Sequence, residues 1–225
     1  MSSLAACRLC LQLGLEPVMQ LTCRDRNRLA LQSDILGACA LGVRNILCLS
    51  GDHPALGDHR QAKVVYDLDS VQLVQLVRQM RERATLLNGQ QMKLAPRLWI
   101  AAGADFIQTQ AVFDIKRFRA FMRMVCDEGL DKRAYILAGI MPVKSEKALI
   151  YMRESVAGMS IPEELIRRMK GARDKREEGT RLACELIAQV REIPGVAGIH
   201  LMPALWESIT PRVVEEAGLL PRPEV

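Results

Sequence analysis

The chain has 225 residues, 49% of them apolar, enough for one large core, and its length favours a single domain over 1–225. Its 31 basic residues nearly match 26 acidic ones, the net charge is only +5, and aromatic residues make up 4%. That balance argues against a nucleic-acid scaffold and leaves few rings on which bases could stack.

Much of the charge lies between Glu163 and Glu192, where RRMKGARDKREEG mixes both signs. Mixed charge at helical spacing reads as a solvated face. A phosphate-bearing cofactor suffices to explain a mildly basic surface. The seven cysteines are scattered, most of them inside apolar runs such as LGACALG and NILCLS. There a thiol behaves as a small hydrophobe. Cys7 and Cys10 form a C-x-x-C, a redox or zinc half-site in principle, but no second pair completes it and core packing is the expected role. Unpaired cysteines suit a reducing, cytoplasmic compartment. Arg44 divides the most apolar stretch, so no membrane span is expected. Arg8 interrupts the apolar N-terminal run, and no secretory signal is expected either.

In chain order, residues 3–13 read as a helix closed by Gly14, and residues 16–23 as a strand. A helix is predicted over 25–41, ending at Gly42, then a buried strand over 45–49 and the polar loop SGDHPALGDH. The spacing predicts a helix over 69–85, capped by Ser70 or Asp69, with Val71, Leu73, Val74, Leu76 and Val77 on its apolar side. Strands follow over 97–100 and 105–110, a helix over 114–128, a strand over 134–140 and a helix over 145–155. Pro162 suits the first turn of another helix, a longer helix is expected over 171–192, and a last strand over 198–202.

Strand alternating with helix predicts a parallel sheet in an α/β fold. A (β/α)₈ TIM-type barrel is expected in preference to an open doubly wound sheet, because no G-x-G-x-x-G follows the first strand. About six strands are found where a barrel has eight, so the barrel is expected to be incomplete. The strands over 97–100 and 105–110 are separated by Ala101, Ala102, Gly103 and Ala104 alone. A parallel crossover needs roughly a dozen residues, so a crossover segment is expected to be missing there.

Two segments carry candidate chemistry. In SGDHPALGDH, Gly51 permits close backbone approach to a ligand and Asp52 offers a carboxylate at a strand end. An Asx-turn closing the loop explains the same residues without a ligand. The repeated Gly-Asp-His could suggest a metal, but every ligand would come from one short loop, and no metal is expected. In DFIQTQAVFD, strand alternation puts Gln108 and Gln110 on one face. Two amides there could grip a flat heterocycle such as a pterin, or could satisfy polar layers of a barrel interior. His200, mid-strand, reads as a core histidine.

LTCRDRNRLALQSDILGACALGVRNILCLSGDHP, AGADFIQTQAVFD, ILAGIMPVKS and GVAGIHLM together resemble, in order, successive strands and helices of the flavin-dependent methylenetetrahydrofolate reductase family. The resemblance implies a flavin-binding (β/α)₈ barrel. It also implies reduction of 5,10-methylenetetrahydrofolate to 5-methyltetrahydrofolate, hydride passing from NAD(P)H through FAD, in one-carbon metabolism and methionine biosynthesis. It gives Gly51 and Asp52 the family's Gly-Asp, whose carboxylate lies near flavin and folate and makes Asp52 the expected catalytic residue. Ser50 and His53 take positions resembling flavin contacts, and Thr109 and Gln110 match the family's substrate-binding Thr-Gln. The family's acidic Phe-Glu-Phe-Phe-Pro-Pro-like segment is absent from these residues, and Gln20 stands where a histidine often precedes Leu-Thr-Cys. The expected partners are a small-molecule folate and further copies of the chain, with no nucleic acid and no membrane. A non-catalytic barrel fragment serving as a binding or interaction subunit is the alternative.

Overall fold

The computed structural model describes residues 1–101, 105–156 and 158–221, which fall into two compact units, Met1–Ile107 and Gln108–Val225. Each is α/β. Among the described residues there are six strands and eight α-helices.

The first unit runs α1 (Ser3–Gln12), β1 (Val18–Thr22), α2 (Arg28–Ala40), β2 (Asn45–Leu49), α3 (Ser70–Arg83) and β3 (Trp99–Ala101). Its strands are parallel and lie side by side in chain order, Val18 in register with Asn45, and Asn45 with Trp99. Parallel neighbours joined by right-handed crossovers place their helices on one face. The burial pattern agrees: Met19 and Leu21 are buried while Val18 and Gln20, which alternate with them, are exposed. Against Met19, Leu21, Ile46 and Cys48 pack Leu31 and Ile35 of α2 and Leu73, Val77 and Met80 of α3. Cys7, Cys23 and Cys48 belong to this core, and all seven cysteines are free thiols. Burial pushes the Cys48 thiol up to about 12, so it stays protonated at neutral pH.

Side-chain caps set the helix starts. The Asn27 side chain accepts from the amides of Leu29 and Ala30, so α2 begins at Arg28 and not at the expected residue 25. Asp69 caps α3 in a reciprocal box with Gln72, as one of the two predicted caps. Val71 departs from the expectation: it is 64% exposed. The buried stripe is Leu73, Leu76, Val77 and Met80, at helical spacing, and Val71 lies about 160° around the helix from Leu73.

The second unit receives most of β4 (Phe106–Ala111) and continues through α4 (Ile115–Asp127), β5 (Tyr135–Ile140), α5 (Glu146–Ser155), α6 (Glu163–Gly171), α7 (Lys175–Arg191), β6 (Val196–Leu201) and α8 (Thr210–Glu216). β5 and β6 are parallel, Gly139 opposite His200. His200 is half-buried, and burial lowers its pKa and favours the neutral ring. The helix expected over 171–192 starts later, at Lys175, because Gly171 closes α6 and Asp174 caps α7.

The charged stretch is also more than a solvated face. Glu178 is buried, and its carboxylate accepts from Arg168 and Arg181, while Arg168 grips Glu185 at 2.5 and 2.8 Å. A buried carboxylate needs such partners, and here they tie α6 to α7. Residues 102–104, where the missing crossover is expected, lie outside the described residues. On either side of them Ala101 and Phe106 form one parallel pair.

Candidate functional site

β1 and β2 end together, with Thr22 in register with Leu49. Their pairing continues beyond the strands: Cys23 N–H donates to Leu49 O and Arg24 N–H to Ser50 O, both at 3.0 Å. The loop that follows is thereby fixed at its root, at the strand end where α/β folds bind ligands. Gly51 turns the chain at φ +85°, and a Cβ there would lie 3.1 Å from the Arg24 Cβ.

Both carbonyls of the Gly-Asp pair are held from neighbouring segments. The Tyr66 hydroxyl donates to Gly51 O at 2.9 Å, and Arg24 Nη1 donates to Asp52 O at 3.0 Å. Arg24 also grips Asp25 through Nε at 2.5 Å and Nη2 at 3.1 Å. That guanidinium holds the Asp25 carboxyl below the usual carboxylate range, and Asp25 in turn raises the pKa of Arg24. Tyr66 sits at φ +41°, a left-handed conformation an aromatic residue rarely takes, next to Val65, whose amide donates to Arg24 O at 2.7 Å. The segment before α3 is thus bound to the loops after both strands.

With its carbonyl engaged, Asp52 leaves an exposed side chain. His53 accepts from the Ala55 amide through Nδ1 at 3.2 Å, so the neutral ring carries its proton on Nε2. Consecutive residues therefore offer a carboxylate acceptor and an imidazole N–H donor. Ser50 Oγ donates to Ser70 Oγ at 3.1 Å, linking the loop to the start of α3.

The second unit carries the other predicted residues at the end of β4. The Thr109 hydroxyl accepts from the Gly139 amide at 2.9 Å and donates to Gln110 O at 2.8 Å, so it is used on both sides within the protein. Gln110 is exposed, with Gly158 near its amide: a Cβ at Gly158 would lie 3.7 Å from Gln110 Oε1. Gly139 is essential to this packing, since a Cβ there would come within 2.6 Å of the carbonyl oxygens of Thr109 and Gln110.

Ser50, Gly51, Asp52 and His53 thus form one group and Thr109 and Gln110 another, each within its own unit. Arg24, Asp25 and Tyr66 are additions that sequence reasoning missed. Among the described residues no cluster of three or more His, Cys, Asp or Glu is placed to hold a metal, and no helix is long and apolar enough to cross a membrane.

Comparison with known proteins gives this geometry a context. Methylenetetrahydrofolate reductase 2 of Schizosaccharomyces pombe is 25% identical over 229 residues, covering 90% of this chain and 36% of the relative. Methylenetetrahydrofolate reductase 2 of Saccharomyces cerevisiae is 26% identical, covering 93% and 38%. The chain therefore spans under two-fifths of the length of these curated relatives. A solved structure of an uncharacterised protein from Clostridium thermocellum that binds two copies of 5-methyl-5,6,7,8-tetrahydrofolic acid matches over 88% of this chain and 92% of its own, at 13% identity. Its TM-score of 0.39 is too low to carry the fold. The methylenetetrahydrofolate reductase family model matches residues 1–218, nearly the whole chain, and the chain belongs to that family.

Proposed function

We propose that this chain binds FAD at the Ser50–His53 loop and a reduced folate through Gln110, and serves the reduction of 5,10-methylenetetrahydrofolate to 5-methyltetrahydrofolate with NAD(P)H as donor. One observation carries the reading: a Gly-Asp turn whose two carbonyls are tied down by Tyr66 and Arg24 while its carboxylate stays exposed. A loop that served only to close a turn would not need anchors from two other segments.

The residues present fit a flavin. An isoalloxazine edge carries both N–H and carbonyl groups, and Asp52 and His53 Nε2–H supply the complementary acceptor and donor. When bound, FAD supplies the hydride. The Asp52 carboxylate stabilises positive charge developing on the folate and sets the electrostatic environment in which the flavin works. The Gln110 amide, donor and acceptor in one group, orients the pterin. Thr109, its hydroxyl already engaged, acts by fixing the Gln110 and Gly139 backbone. Protonation of the substrate is assigned to none of these residues, because the family's glutamate-bearing segment is not among them.

Strands lying side by side in chain order, with helices on one covered face, support the incomplete (β/α)₈ barrel over a doubly wound sheet, which reverses its strand order. Residues 1–225 would then be part of one barrel domain, working in the cytoplasm as a homo-oligomer.

The test is to purify the chain, load it with FAD and titrate 5-methyltetrahydrofolate. Retained flavin and a saturable change in its spectrum on adding folate support the proposal. Failure to hold flavin overturns the cofactor assignment, and flavin retention without a folate response overturns the substrate assignment.

A further inference from the structure

The strands of the first unit have a second end, away from the Gly-Asp loop. Arg44 immediately precedes β2, and Arg97 stands two residues before β3. Because Asn45 and Trp99 are in register, Arg44 and Arg97 stand one position apart on adjacent strand entrances. With Arg81 from the last turn of α3 they line a cleft of about 800 Å³, whose apolar wall includes Leu94 and Pro96.

The three arginines are not equivalent. Arg81 is committed to the fold: its Nη1 donates to Asp105 at 2.5 Å and to Leu98 O at 3.2 Å. Asp105 balances its charge. Arg44 and Arg97 are exposed, and among the described residues neither is in an ion pair. Three guanidinium charges less one carboxylate leave two positive charges facing one cleft. A protein gains no stability from two such charges on adjacent strand entrances, since like charges in neighbouring positions repel. Leu94, 84% exposed at the same cleft, offers apolar surface to the body of a ligand.

We propose that this cleft binds a doubly charged, phosphate-bearing small molecule, with Arg44 and Arg97 as its anion-binding residues and Arg81 as the fixed wall. Guanidinium forks match phosphate oxygens in geometry as well as charge. The site is separate from the Ser50–His53 loop, which lies at the other end of β2, roughly 20 Å along the strand from Arg44. It does not depend on the flavin reading.

Inorganic pyrophosphate is the probe, titrated by calorimetry into the parent chain, Arg44→Ala, Arg97→Ala and the double variant. Both arginines are exposed, so the variants should keep the parent's circular dichroism and melting profile. The expected result is one site per chain, weakened about tenfold by each substitution and abolished by both, with affinity falling as salt rises. Absence of binding at millimolar pyrophosphate overturns the proposal. So does binding that survives in the folded double variant, because the probe would then sit elsewhere, for example at the flavin loop.

Discussion

Tyr66 reaches back fifteen positions to donate its hydroxyl to the carbonyl of Gly51 at 2.9 Å. It does so from a left-handed backbone conformation, φ +41°, which for a non-glycine residue costs on the order of 1–3 kcal/mol. Tyr66→Phe keeps the ring and removes this one bond. It should lower stability by about 1 kcal/mol and loosen the Gly-Asp turn, so that FAD affinity falls by more than the stability change accounts for. Denaturant melts and flavin titration on the same preparation check both parts. An affinity identical to the parent's would separate Tyr66 from the loop's function.

Gln110→Ala should weaken folate binding by about 1–3 kcal/mol while leaving FAD bound, because the amide contact to the heterocycle is lost. Binding of 5-methyltetrahydrofolate to the flavin-loaded variant measures this directly, and an unchanged affinity would remove Gln110 from the substrate site.

Gly139→Ala addresses the support beneath Gln110. The new methyl would meet the Thr109 and Gln110 carbonyl oxygens at 2.6 Å, and backbone atoms cannot rotate away as a flexible side chain can. The variant should lose about 2 kcal/mol or more and bind folate poorly. A melting temperature equal to the parent's would show that the two strands separate more readily than this packing implies.

Acid stability should report on Asp67. Its carboxylate accepts from the Arg28 amide at 2.7 Å and from the Arg28 guanidinium at 2.8 and 2.9 Å, joining the start of α2 to the segment before α3. Those bonds hold its pKa down at about 2, against 3.8 for the free side chain. A depressed carboxyl stabilises the fold fully above the unfolded value and loses that contribution as pH falls from 3.8 through about 2. Asp67→Asn should therefore be less stable than the parent at pH 6, and the gap should close across that acid window. A gap that persists at pH 2 would contradict the assignment.

Much of this fold could be read from residues in sequence. The strand Asn45–Leu49 stands as the apolar run between Arg44 and the glycine loop dictates, and Asp69, Asp114 and Ser145 cap helices where short polar side chains precede apolar periodicity. α8 escaped because it is short and buries little beyond Val213, so its apolar period is too weak to register. The site was legible only in part. Gly51 and Asp52 show themselves through a glycine and a carboxylate after a buried strand. Arg24 lies inside CRDRN, where a charge run looks like solvated surface, and nothing local reveals that its guanidinium turns to a carbonyl 28 positions later. Tyr66 is hidden for the same reason, since its partner is set by tertiary folding. Thr109 shows the reverse: its place in the strand was readable, but not that Gly139 uses its hydroxyl.

On the proposed function, Asp52 works beside a flavin that exchanges hydride with a folate. The most direct measurement is anaerobic addition of 5-methyltetrahydrofolate to the FAD-loaded chain, following the flavin absorbance, in the parent and in Asp52→Ala. The parent's flavin should bleach as it takes the hydride, and the variant should retain FAD but bleach about 10²-fold more slowly. A flavin that stays oxidised in the parent, or an Asp52→Ala variant that reacts as fast, would contradict it.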